Sequence, residues 1–301
     1  MSFNEGVTID SSGASRGGGG GRRGGGPVMV GGGIGTLIIV IIALMLGVDP
    51  SAVLSGAQPD QGQTVNDQAL AQQCQTGADA NTNVDCRVVA TYDSANTYWG
   101  PVVQQAGITY TQPSLILFNQ QVSTGCGAAT SQVGPFYCPT DQTIYIDTSF
   151  FDVLEQQFGS SGGPLAQEYV IAHEFGHHIE NLQGVLGYSQ QDPSGPESGA
   201  VRIELMADCY GGVWAHNAVN TIDPDTGQTF LKPLTDQDIA DALSAAASVG
   251  DDRIQQKTQG RVTPEGWTHG SAQMRQHWFT VGYSTGDPSQ CNTLQASDLD
   301  G

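Results

Sequence analysis

His173 and His177 stand four residues apart with Glu174 beside the first, the spacing HExxH. On a helix, positions four apart lie one turn above each other, so both imidazoles can reach one metal ion. Glu174 can lean over the open metal position and take a proton from metal-bound water. The surrounding stretch, PLAQEYVIAHEFGHHIENLQG over 164–184, reads as a helix of about 20 residues. Ala166, Tyr169, Val170, Ile171, Phe175 and Leu182 supply an apolar stripe, Pro164 suits a first turn and Gly184 suits a stop. Gly176 costs a helix about 1 kcal/mol relative to alanine. That cost makes sense where another backbone or a substrate approaches closely.

A catalytic zinc ion takes three protein ligands and a water. The metzincin extension fails, because Gln183 stands where its third histidine belongs and Glu180 where its glycine belongs. Glu204 and Asp208, four apart within 197–219, offer an alternative. This ExxxD resembles the second helix of the gluzincins, the thermolysin-like zinc peptidases. The resemblance implies that Glu204 is the third ligand and that Asp208 holds a ligating histidine, His173, in its tautomer and orientation. Asp208 as third ligand is the rival assignment. Four blocks extend the likeness: GPFYCPTDQTIYIDTSFF (134–151), HEFGHHIENLQG (173–184), RIELMADCYGGVWAH (202–216) and THGSAQMRQHWFTVGYSTGDPSQC (268–291). In this order they resemble the bacterial predicted neutral zinc metallopeptidase family, over roughly residues 64–294. The resemblance implies zinc as cofactor, a short N-terminal span and an exported domain.

Other residues have readings of their own. Gln142–Asp147 alternates and is β-rich, a strand just before the HExxH helix. In zinc peptidases such a strand is commonly the edge that pairs with an extended substrate; an ordinary sheet strand is the alternative. His269 precedes a helix near 271–284 that Ser271 can cap, and it can enter the cleft to stabilise an oxyanion. Tyr169 or Tyr283 can also assist there. His178 is rotated about 100° from His177 on a helix, so it is read as structural, as are His216 and His277.

The elements that must position these groups follow a different organisation. The 301-residue chain carries 30 acidic and 10 basic residues, a net charge of -20, which excludes a generic nucleic-acid binder. The acidic surface serves solubility or favours basic substrates. Residues 1–26 are glycine-rich, with Arg16, Arg22 and Arg23, and read as a disordered cytoplasmic tail. Residues 27–48 contain no charged residue and, at about 1.5 Å per residue, reach roughly 33 Å, enough to cross a bilayer. They read as one transmembrane helix that leaves the rest of the chain outside. A cleaved signal peptide, cut near Ser55-Gly56-Ala57, is the alternative. Gly31 and Gly35 form a GxxxG pair that composition alone explains. Residues 49–72 read as a linker, with a first helix beginning near Val65, and 73–301 as the zinc metallopeptidase domain. All six cysteines follow the span, an even count that suggests disulfides in an oxidising compartment. The 12-residue spacings favour Cys74–Cys86 and Cys126–Cys138, leaving Cys209 and Cys291 as a pair.

The expected fold class is α+β, a mainly helical zincin-like domain preceded by one transmembrane helix. Its small sheet comes from segments near 114–119 and 143–147, with further helices near 235–249 and 271–284. The expected function is zinc-dependent hydrolysis of a peptide or protein substrate outside the cytoplasmic membrane. His173, His177 and Glu204 bind the metal, Glu174 is the general base and His269 assists. A catalytically silent membrane-anchored zinc protein that binds a partner is one alternative. A zinc ion that merely clips two helices is another, and it would need four protein ligands.

Overall fold

The computed structural model describes residues 3–17 and 67–301. The domain is mainly helical, with a small sheet on one side. β1 is Ala14–Arg16. Helices α1 (Asp67–Gln73), α2 (Gly77–Thr82) and α3 (Val84–Gln105) follow. Next come β2 (Ser114–Leu117), β3 (Gln121–Thr124), β4 (Gly127–Thr130), β5 (Phe136–Cys138) and β6 (Thr143–Ile146). The rest is helical: α4 (Phe150–Gln156), α5 (Pro164–Gln183), α6 (Tyr188–Gln191), α7 (Gly199–Ala218), α8 (Asp236–Ser248), α9 (Asp251–Gln259) and α10 (Ala272–Thr285).

Local signals set the ends of the site-bearing helices. Pro164 opens α5, and Gly184 closes it in the left-handed conformation at φ 75°. The Ser198 hydroxyl accepts from the Val201 N–H to cap α7, and Ser271 does the same for α10 from Met274. The two helices then pack at backbone distance. A Cβ on Gly212 of α7 would sit 2.1 Å from the Phe279 carbonyl oxygen, and one on Gly282 of α10 would sit 2.0 Å from that of Cys209. Gly176 answers to the same demand: a Cβ there would sit 2.9 Å from Ala207 Cα, so glycine lets α7 close on α5.

The four-stranded sheet has the order β1-β2-β6-β5. β1 and β2 are parallel, β2 and β6 are parallel, and β5 is antiparallel to β6. β6 therefore lies between two neighbours, and its backbone is occupied on both sides. Of the two readings of 142–147, the ordinary sheet strand holds and the open edge does not: the edge next to the cleft is β5. The disulfides are Cys74–Cys86, Cys126–Cys138 and Cys209–Cys291, the pairing that the spacing favours.

The N-terminal segment departs from expectation. Residues 3–17 are part of the domain rather than a disordered tail. Phe3 and Val7 are fully buried, Ile9 and Ala14 nearly so. β1 pairs with β2 in the register Ala14↔Leu115 to Arg16↔Leu117. The Thr8 N–H donates to Asp223 at 2.9 Å, the Asp10 N–H to Asp93 at 2.9 Å, and Arg16 pairs with Asp85. Within the stretch expected as linker, 49–72, α1 begins at Asp67, close to the helix start expected near Val65, and buries Leu70; residues 49–66 lie outside the described residues.

The membrane placement is corrected as well. No helix among the described residues is long and apolar enough to cross a membrane, and residues 27–48 lie outside the described residues. A chain that crossed once between 27 and 48 would leave 3–17 and 67–301 on opposite sides. They share one sheet instead, so the single-pass arrangement with a cytoplasmic N-terminus does not hold.

Candidate metal centre

His173 and His177 project from α5 and Glu204 from α7, all three buried, and one ligand atom from each lies within 4.8 Å of the others. Glu204 Oε2 is 3.2 Å from His173 Nε2, and Glu204 Oε1 is 3.6 Å from His177 Nε2. Ligands at zinc distances in a tetrahedron are about 3.3 Å apart, so the N, N, O donor set fits zinc.

The other ring nitrogen of each histidine is held. His173 Nδ1 lies 2.8 Å from Asp208 Oδ1, and His177 Nδ1 lies 2.7 Å from Glu180 Oε2. A carboxylate can only accept there, so each Nδ1 carries a proton, and Nε2 is the ring atom of each that faces Glu204 and would bind an ion between them. The Asp208 contact is with His173, the histidine that the gluzincin resemblance pairs it with. Burial alone would lower His173, but the carboxylates of Asp208 and Glu204 outweigh it and raise His173 to about 10. Burial raises Glu180 to about 7, with His177 opposing. Burial also raises Glu174 above the ordinary carboxylate range, against the pull of His173 and His177. A basic carboxylate in the cleft is suited to accepting a proton.

Arg275 of α10 organises the Asp208 side. Its Nε donates to Asp208 Oδ2 at 2.8 Å and one terminal nitrogen donates to Oδ1 at 3.0 Å. Tyr169 also donates to Asp208 Oδ1 and receives a bond from Arg275 at 3.1 Å. Burial would raise Asp208, but Arg275 and His173 hold it below the ordinary range. The Tyr169 hydroxyl is thereby committed to Asp208 and is not free to bind an oxyanion.

His269 reaches the cleft from the loop before α10. Its Nε2 is 4.0 Å from Glu204 Oε1. Asp251, at the start of α9, pins that loop: its Oδ2 accepts from the N–H groups of Thr268 at 2.7 Å, His269 at 2.7 Å and Gly270 at 3.0 Å. Its Oδ1 lies 3.5 Å from His269 Nδ1.

The remaining histidines lie elsewhere. His178 Nε2 donates to the Thr111 carbonyl at 2.7 Å, so its Nδ1 accepts from the Tyr137 hydroxyl at 3.0 Å; burial lowers it to about 4, and it is neutral. His216 donates to the Tyr283 carbonyl at 2.7 Å. His277 packs edge-on against Trp278. Neither Tyr283 nor these three histidines line the cleft beside the candidate metal ligands, which is open to solvent.

The sequence reading assigns no site role to Glu180, Asp251 or Arg275. Glu180 carried a signal, since a carboxylate three residues after His177 shares its helix face. Asp251 and Arg275 carried none, because their partners lie on other elements.

The chain matches, over residues 3–294, a family described as "Putative neutral zinc metallopeptidase". It is 58% identical over 299 residues to an uncharacterized protein of Mycobacterium tuberculosis (strain H37Rv), covering 99% of this chain and 100% of the relative. It is 40% identical over 266 residues to the uncharacterized protein YpfJ of Escherichia coli (strain K12), covering 87% and 86%. No solved structure matches the chain. With residues that could hold a metal gathered at one cleft and the match running across nearly all of its length, the chain belongs to the neutral zinc metallopeptidase family.

Proposed function

We propose that the chain is a zinc-dependent peptidase that hydrolyses peptide bonds with Glu174 as general base. The observation that carries this reading is the convergence of His173 Nε2, His177 Nε2 and Glu204 in a cleft that Glu174 also lines. When bound by those three residues, zinc supplies a Lewis acid that acidifies a water and polarises a carbonyl.

The chain's own groups do the rest. Glu174 takes the proton from the attacking water and passes it to the leaving amine. Asp208 and Glu180 keep the two ligating imidazoles in the Nδ1–H tautomer, and Arg275 keeps Asp208 charged and fixed. His269 donates from Nε2 to the oxyanion that forms at the scissile carbonyl. The open edge of β5 offers backbone partners to an extended substrate, by β-augmentation. The three disulfides fit a protein that folds in an oxidising compartment.

The test is cleavage of a diverse peptide library by the full chain, read by mass spectrometry. Cleavage should vanish after chelation and return on adding zinc. Cleavage that survives chelation would contradict a zinc peptidase.

A further inference from the structure

We infer that the cleft beside the metal ligands is a pocket for one large apolar side chain of the substrate, with Ile254 as its selecting wall. This inference rests on the peptidase reading and names the substrate class it implies.

Three observations converge on it. The first is the wall chemistry. Away from the metal ligands, the cleft is bounded by Val133, Phe136, Phe150, Val170, Val249 and Ile254. Phe150 closes one side against the backbone: Gly134 adopts φ 74°, and a Cβ there would meet the Phe150 ring at 3.3 Å.

The second is that the polar tips near these walls are already engaged. The Tyr137 hydroxyl bonds His178 and Asn181. The Tyr169 hydroxyl and the Arg275 guanidinium are tied to Asp208. Beyond Glu174, Glu204 and His269, which line the metal end of the cleft, an acidic or a basic side chain at the apolar end would meet only those walls and the polar tips already bonded. Either charge would be desolvated without a partner. A large aliphatic or aromatic side chain would exchange water for those walls at no such cost.

The third is Ile254 itself. α9 reads DDRIQQKTQ, and Ile254 is its single apolar residue. It is 8% exposed, yet it belongs to neither of the two apolar clusters that make up the core. An isolated isoleucine on a polar helix, turned to the cleft and not to the core, is explained by what enters the cleft. The same helix carries Asp251, which pins the His269 loop, so the selecting wall and the proposed oxyanion donor sit on one frame.

The test pairs cleavage with binding. The zinc-loaded full chain is offered peptides that vary only at the residues flanking the scissile bond. Leu or Phe should exceed Asp and Lys by about tenfold or more in kcat/KM at one flanking position. Ile254→Asp should erase that advantage. Ile254→Phe, which narrows the pocket and keeps its polarity, should move the preference toward Ala and Val. In parallel, calorimetry on the zinc-loaded Glu174→Gln variant compares hydroxamates bearing phenylalanine and aspartate side chains, with the phenylalanine compound binding tighter. Cleavage with no apolar preference at either flank, or a preference untouched by both Ile254 variants, overturns the pocket and leaves the peptidase reading standing. No cleavage of any peptide, with the hydroxamate preference intact, overturns the peptidase reading and supports the pocket. No cleavage and equal hydroxamate binding overturns both.

Discussion

The metal cleft and the N-terminal segment, residues 3–17, are both packed into the same domain, and they are held by opposite means. The cleft is a buried polar network in which two imidazoles, Glu204, Asp208, Glu180 and Arg275 satisfy one another. The N-terminal segment holds by burying Phe3 and Val7, by pairing β1 with β2, and by donating backbone N–H groups to Asp93 and Asp223. The cleft is fixed by chemistry spaced four residues apart on two helices. The segment is fixed by surfaces distant in sequence, from 57 residues away for Arg16 and Gln73 to 227 for Asn4 and Leu231. Function can be lost in the first without unfolding the domain. In the second, the fold is expected to go first.

The sharpest way to break this comparison is to remove the segment. A chain lacking residues 3–17 should lose cooperative unfolding in a thermal scan, because it exposes the apolar surfaces that Phe3, Val7 and Ile9 cover. A truncated chain that melts like the full one would show that the segment is an accessory. Phe3→Ala is the milder form: it should lower stability by about 3–5 kcal/mol, read by denaturant unfolding, with zinc affinity unchanged.

The complementary change is in the cleft. Asp208→Asn and Glu180→Gln should each weaken zinc binding by about 10–100-fold, measured by competition with a chelator. Both variants should stay folded. An unchanged zinc affinity in both would mean that the Nδ1 partners do not orient the ligands.

The smallest expected effect is a pH dependence in the contact that holds the segment. Burial raises Asp93 to about 7, with Asp10, Asp223 and Asp225 adding to the rise against the Asp10 N–H. A carboxylate with a folded pKa above its unfolded value of about 3.9 stabilises the fold fully below that value and loses the contribution as pH rises through 7. Wild type should therefore lose melting temperature between about pH 4 and 7. Asp93→Asn should flatten that slope, by roughly 2–4 °C, since Asn can still accept the Asp10 N–H. Parallel slopes in the two proteins would uncouple Asp93 from the effect.

What could be read from the sequence follows the same division. The ends of α5 came from Pro164 and Gly184, and the reason for Gly176 was anticipated as a close backbone approach, which Ala207 makes. The Glu204 and Asp208 assignments needed only a four-residue spacing and a resemblance. The N-terminal segment was missed because three apolar residues in a glycine-rich stretch carry no periodic signal, and their partners are distant. The edge strand was misassigned for a related reason: alternation in 142–147 marks a strand but says nothing of its neighbours, and β5 occupies the edge. The spanning helix was read from composition alone, which could not register that the residues before it pair with β2.

The central claim is that Glu174 moves the proton in a zinc-dependent hydrolysis, and the most direct measurement is on Glu174→Gln. Zinc content by mass spectrometry and peptide turnover are measured on this variant and the wild type together. The account predicts one zinc per chain in both proteins and turnover in the wild type only. A Glu174→Gln variant that keeps its zinc and cleaves at the wild-type rate would contradict it.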